Sequence, residues 1–213
     1  MKVVSTNIAE LRTILWKGKE EKTGIYKQPV KEPIFLGKED VEKDHVIDRR
    51  YHGGVDKACY LYAVDHYPYW KDKYPDLEWH YGMFGENITI EGFDENAINI
   101  GSIYTLGEAT VQISRCRQPC YKLGIRFGSQ KILKQMIDSK YSGVYVRVLD
   151  PGYVSVGDEL LPKKENVDGI SIAELNTLLF HYDNEKHLSL ATKAIQDPLV
   201  SEGDKKYFRK KVK

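Results

Sequence analysis

The chain has 213 residues, 41% of them hydrophobic, enough for one buried core with at most a small appendix. Its 32 basic and 31 acidic residues nearly cancel, so charge gives no general attraction to nucleic-acid polymers or membranes. Three cysteines make an odd count that argues against a disulfide framework and fits a reducing cytoplasm. No apolar run approaches the ~20 residues of a membrane span, and Met1-Lys2-Val3-Val4 leads into Ser5-Thr6-Asn7 without a signal-peptide pattern.

The first three quarters read as short strands. β-branched alternation predicts strands over residues 1–8 and 11–16, with a polar turn at Lys17-Gly18-Lys19-Glu20. Further strands are expected at 34–36, 58–63 and 88–91, and a short helix between Asp65 and Tyr74, ahead of Pro75. Residues 102–106 and 109–115 read as a hairpin turning at Gly107-Glu108. Ile132, Leu133, Met136 and Ile137 share one face of a helix over 129–139. Strands follow at 144–149, 154–156 and 159–161. Many short strands, Gly-rich turns and few helices predict a mainly β fold, a barrel or a folded sheet.

After Pro162 the pattern changes. Lys163-Lys164-Glu165-Asn166 reads as a linker, and Ser171-Ile172-Ala173-Glu174 has capping-box spacing. Helical spacing continues through Leu175 and Leu179, then through Leu188, Ala191 and Ile195, and Ser201 caps a third segment. The expected organisation is a β domain over 1–164 and a three-helix domain over 165–213. The apolar stripes of those helices must pack on the β domain or across a homodimer interface.

Chemistry concentrates in three stretches. Arg115-Cys116-Arg117-Gln118-Pro119-Cys120-Tyr121-Lys122 sets two thiols among cations, and Pro119 puts Cys120 on a loop or turn. Positive charge favours the thiolate, the nucleophilic and metal-binding form. Local residues alone leave open whether Cys116 and Cys120 are reactive or are small hydrophobes at a strand end. Asp48-Arg49-Arg50-Tyr51-His52-Gly53-Gly54-Val55-Asp56-Lys57 combines cations with glycines whose N–H groups could approach an anion closely; a solvated surface turn is the plainer reading. Gly85-Glu86-Asn87 either aims Asn87 at a ligand or simply enters a strand.

Structural zinc is rejected, because Cys116-x3-Cys120 has no second pair. An iron–sulfur cluster lacks a fourth cysteine, and C-x-x-C exchange lacks its spacing. A cysteine hydrolase using His45, His52, His66 or His80 stays open.

Taken together and in order, His52-Gly53-Gly54-Val55-Asp56-Lys57-Ala58, Phe84-Gly85-Glu86-Asn87-Ile88-Thr89 and Arg117-Gln118-Pro119-Cys120-Tyr121-Lys122-Leu123 resemble the MOSC domain family of the YiiM type. The family takes its name from the C-terminal domain of molybdenum cofactor sulfurase. The resemblance covers nearly the whole chain and implies a MOSC β-barrel followed by a small three-helix domain. It implies a molybdenum cofactor (Mo-molybdopterin) with Cys120 as the catalytic cysteine and metal ligand. Arg49, His52, Gly53, Lys57, Asn87, Arg115, Arg117 and Gln118 are then the candidate cofactor contacts, the cations for the terminal phosphate and Asn87 for the pterin edge or an oxo group. Cys116 matches no ligand position. The implied activity is reduction of N-hydroxylated compounds, such as hydroxylaminopurine bases, amidoximes and hydroxamates. Electrons would come from a separate flavoprotein reductase, since the chain shows no flavin or iron–sulfur motif. A sulfur carrier using a Cys120 persulfide, or a non-catalytic cofactor-binding module, are the alternatives.

Overall fold

The structure is a computed structural model that describes residues 1–47, 49 and 53–212. Its centre is one eight-stranded sheet. The strands are β1 (Lys2–Ala9), β4 (Lys27–Val30), β6 (Cys59–Ala63), β7 (Ile88–Glu91), β8 (Ile103–Leu106), β9 (Ala109–Cys116), β10 (Val144–Asp150) and β12 (Leu160–Lys164). Their order is β12-β8-β9-β10-β6-β7-β1-β4. Only the β6–β7 pair is parallel among these neighbours. The Gly107-Glu108 hairpin forms as its sequence predicts, with Leu106 opposite Ala109. Two small ribbons stand apart, β2 (Arg12–Trp16) with β3 (Lys19–Thr23), and β5 (Ile34–Leu36) with β11 (Gly152–Val154).

The expected closed barrel is not formed. The sheet is open, with β4 and β12 as its edges. Each edge carries a proline within its strand, Pro29 and Pro162, which cannot donate to a further ladder. The sheet curls far enough for Val3 N to donate to Asp158 O at 2.8 Å and Leu160 N to Met1 O at 2.9 Å. That approach stops at one isolated bridge, Lys2 to Glu159. The residues read as a linker, Lys163-Lys164, belong to β12.

Strand alternation sorts side chains into two cores. Cys59, Leu61 and Ala63 of β6, with Val144, Val146 and Val148 of β10, face the main core. Tyr60, Tyr62 and Tyr145 face the other side, a second core rich in aromatic rings. Helices α1 (Tyr67–Lys73), α2 (Tyr121–Arg126) and α3 (Lys131–Ser139) cover that aromatic side, supplying Tyr67, Trp70, Leu123, Ile132 and Met136.

The three C-terminal helices are α4 (Ile172–Phe180), α5 (Asn184–Gln196) and α6 (Glu202–Lys211). Ser171 and Glu174 close the capping box reciprocally. Leu175, Leu178, Ala191, Ala194 and Phe208 join the main core with the sheet residues, so the apolar stripes pack within this chain. Burying each of the leucine and phenylalanine side chains contributes about 1.5–3 kcal/mol. No helix among the described residues is long and apolar enough to cross a membrane.

Candidate functional site

One cleft gathers the chemistry. Gly53, Lys57, Asn87, Arg117 and Cys120 line it, joined by Lys27, Asp44, Tyr60, Lys122 and Tyr145. Three of the sequence stretches therefore converge, although Lys57 and Gly53 lie 63 and 67 positions before Cys120 along the chain.

Cys120 sits where the sequence places it, in extended backbone (φ −120°, ψ 164°) between Pro119 and α2. It is partly exposed, whereas Cys59 and Cys116 are fully buried. Burial pushes the Cys116 thiol up to about 12 and the Cys59 thiol further still. Both point into the main core by strand alternation, so they behave as small hydrophobes. Cys59→Ala and Cys116→Ala should therefore leave ligand binding intact, with stability losses readable by denaturant unfolding and accessible-thiol titration unchanged in the native state.

Arg117 is the cation most committed to the cleft. It is 4% exposed, and its guanidinium lies 4.7 Å from the Tyr60 ring centroid. Its Nε is buried without a hydrogen-bond partner. Burial opposes its charge, but Tyr145, Tyr60, Cys120 and Glu86 outweigh that and hold its pKa above the usual value. No carboxylate is paired with it in an ion pair among the described residues. The charge is held by the Tyr60 ring and those neighbours, and its Nε is left to donate to an acceptor in the cleft.

Gly85 explains part of the Phe84-Gly85-Glu86-Asn87 motif. Its φ is +77°, and a Cβ there would meet Ile25 at 3.1 Å and the Arg117 guanidinium at 3.4 Å. Glu86 is structural: it accepts from Tyr67 OH, Gly82 N, Phe84 N and Thr89 Oγ1. Asn87 corrects the expectation made for it. Its amide donates to Asp44 Oδ2 at 2.9 Å and to Asn7 O, and its carbonyl accepts from Tyr60 N. Asn87 thus lines the cleft with its polar atoms already engaged, and holds Asp44 instead of reaching for a ligand.

Asp44 forms a buried ion pair with Lys27, and Ala9 N donates to its other oxygen at 2.8 Å. Burial works against both charges; it wins at Lys27, whose pKa is lowered, while Lys27, Asn87 and Ala9 keep Asp44 below the carboxylate range. Nothing in the sequence flags this pair, since Lys27 and Asp44 meet only when β4 docks beside β1. Arg126 fastens the same wall, donating to the carbonyls of Ile25, Gly82 and Lys27. Gly24 completes it, because a Cβ there would run into the His45 carbonyl. Gly24→Ala should cost stability by the ~1–3 kcal/mol of overpacking, visible in a thermal melt.

Lys57 lies on a single 3-10 turn, Val55–Lys57. Burial, then Arg115, lowers its pKa to about 8, with Asp204 and Asp56 pulling the other way and Arg117 adding to the fall. It is charged below that value and loses its charge as pH rises through it.

The remaining predicted contacts do not join the lining. Arg115 turns to α6 and pairs with Asp204 at 2.8 Å. Arg49 is exposed and pairs with Asp40. Arg49 and Arg115, both expected to hold the phosphate, are each paired with a carboxylate and stand outside the lining. Gln118 is exposed and outside the lining. His52 lies outside the described residues. Of the hydrolase candidates, His66 is taken by Glu95 at 2.9 Å and stacks on Tyr141, and His80 meets Arg126. His45 lines the cleft.

The ribbon β2–β3 covers α2 beside Cys120. Trp16 stacks on Tyr121 with ring centroids 5.0 Å apart, Glu21 accepts from Tyr121 OH, and Lys122 donates to Lys22 O at 3.0 Å. The sequence shows no strand at β3, whose first residues Lys19-Glu20 read as a polar turn, and no helix at α2. Among the described residues no three His, Cys, Asp or Glu side chains cluster as a metal cage. Cys120 is a single soft donor, so a metal there would take its other ligands from a cofactor.

Residues 48–161, more than half of the chain, match the MOSC domain. The chain is 35% identical over 209 residues to YflK of Bacillus subtilis (strain 168), covering 98% of this chain and 93% of that one. It is 35% identical over 147 residues to a protein named reductase from Gibberella moniliformis (strain M3125 / FGSC 7600), covering 67% of this chain but 26% of that longer protein. The crystal structure of YiiM from Geobacillus stearothermophilus is similar over 100% of this chain and 99% of its own, at a TM-score of 0.82 and 31% identity. On the matched domain, the full-length relative and the cleft that unites the three motifs, the chain belongs to the MOSC domain family.

Proposed function

We propose that the cleft holds a molybdenum cofactor and that the protein reduces N-hydroxylated small molecules. The observation that carries this reading is Arg117, a buried guanidinium with an orphaned Nε in the same cleft as the partly exposed Cys120. A phosphate would supply the missing acceptor, and a soft thiolate suits a redox-active metal. The reductase named among the relatives is in keeping with it.

Cys120 would ligate the metal, Arg117 and Lys57 would hold the phosphate, and Gly85 would let Arg117 reach it. When bound, the cofactor supplies the two-electron chemistry. The balance is N–OH plus two electrons and two protons giving N–H and water, the N–O bond breaking. A separate flavoprotein reductase supplies the electrons. The protein's part is to bind, orient and screen: Tyr60 and Tyr145, held neutral by burial, pack around Arg117. The Lys27–Asp44 pair sets the polarity of the opposite wall.

An anaerobic assay of the loaded protein with an amidoxime, a hydroxamate and a hydroxylaminopurine, each with a chemical reductant, tests this. Turnover with release of the amine-level product supports it. A loaded protein that turns over none of the three contradicts the reductase reading.

A further inference from the structure

The C-terminal helices are tied to the cleft by two arginines. Arg147 of β10 donates to Leu199 O at 3.0 Å, just before α6, and to Asp56 Oδ1 at 2.6 Å. Asp56 neighbours Lys57 on the turn that enters the cleft wall, and Ser114 donates to the Asp56 carbonyl at 2.6 Å. Arg115 of β9 donates to Asp204 of α6 at 2.8 Å, with only 12% and 4% of the two side chains exposed. Ser201 donates to the other Asp204 oxygen at 2.8 Å. The charged groups facing Lys57 among the described residues are therefore Arg115 from β9, Asp204 from α6, Asp56 from its own turn and Arg117 from the Cys120 loop, with Arg147 of β10 behind Asp56.

We propose that Asp204 and the Leu199 carbonyl are positioning groups for the cleft: acting through Arg115 and Arg147, they hold Lys57 in the anion-binding wall, so that the C-terminal helices are a working part of the site. Arg115 without Asp204 would place an uncompensated buried cation beside Lys57 and Arg117. Arg147 without Leu199 and Asp56 would release the turn. The burial that lowers Lys57 to about 8 makes its charge sensitive to both. The inference rests on reading the cleft as an anion site.

The test is competitive labelling of full-length protein with trace acetic anhydride across pH, scoring Lys57 by peptide mass spectrometry, with and without sulfate. Wild-type Lys57 should titrate near 8 and be protected by sulfate below that pH. Asp204→Asn should move the Lys57 midpoint to lower pH by about half a unit or more, as expected for loss of a neighbouring opposite charge. Asp204→Glu, which restores the charge, should return it. Ser201→Ala weakens the helix cap without removing charge and should leave the midpoint in place. Arg147→Gln should move it the other way, toward that of an ordinary lysine, and weaken sulfate protection. An unmoved midpoint in either folded variant contradicts the role of the C-terminal helices. Sulfate that protects nothing in the wild-type protein instead sinks the anion reading, and the midpoints still report on Asp204 and Arg147.

Discussion

Cys120→Ala, purified from a host that makes the molybdenum cofactor, should retain no molybdenum and reduce no N-hydroxylated substrate, while melting close to the wild type. Cys120 lies in extended backbone just before α2 and is only partly buried, so its loss removes chemistry with little packing. Cys116→Ala and Cys59→Ala should give the opposite pattern. Both side chains fill the main core, and truncation there leaves a small cavity with a stability loss of order 1 kcal/mol. Molybdenum content, activity and melting temperature on the three variants separate the roles. Full activity in Cys120→Ala would remove the basis for treating it as the ligand.

Arg117→Met should weaken anion binding strongly and stability only modestly. Arg117 carries a buried charge whose Nε has no hydrogen-bond partner among the described residues. Methionine keeps part of the packing on Tyr60 but forfeits the cation–π contact and the neighbours that hold the charge, about 0.5–2 kcal/mol, so the protein should melt slightly lower. The same change removes charge-assisted hydrogen bonds to an anion, each about 1.5–3 kcal/mol. Affinity for sulfate or for the cofactor should fall roughly ten- to hundredfold. Calorimetry and a thermal melt on one preparation read both. Arg115→Ala should behave differently, because its partner Asp204 would be left buried and unpaired. That change should lower stability by about 3–5 kcal/mol. If Arg117→Met leaves sulfate affinity unchanged, Arg117 is structural and the anion assignment moves elsewhere.

How much of this was legible in the sequence depends on whether the signal was local. The Ser171–Glu174 capping box and the Gly107-Glu108 hairpin are written within a few residues, and each forms; the helix before Pro75 forms too, but Asp65 does not cap it and instead accepts from Gly92 N. Strand β3 reads Lys-Glu-Glu-Lys-Thr and has no apolar alternation, because it belongs to a ribbon outside the main sheet. Helix α2 is six residues long with Gly124 inside it, too short for periodicity to show. The three motifs located the cleft, but composition could not say which cations face it. Arg49, Arg115 and Arg117 look alike in the chain. They part only through their partners: Asp40 and Asp204 for the first two, and no carboxylate ion pair among the described residues for Arg117. Asn87 lines the cleft, yet Asp44 occupies its donor, and that contact spans 43 residues of sequence. A barrel was expected from the many short strands and from the family resemblance, whereas β1 and the residue before β12 meet at one isolated bridge.

The most direct measurement is elemental analysis of gently purified wild-type protein from a molybdenum-cofactor-competent host, with labile sulfur quantified on the same sample. Molybdenum approaching one atom per chain, lost in Cys120→Ala, is the predicted result. Labile sulfur on Cys120 with no molybdenum in the wild-type protein would contradict it and make the chain a sulfur carrier instead.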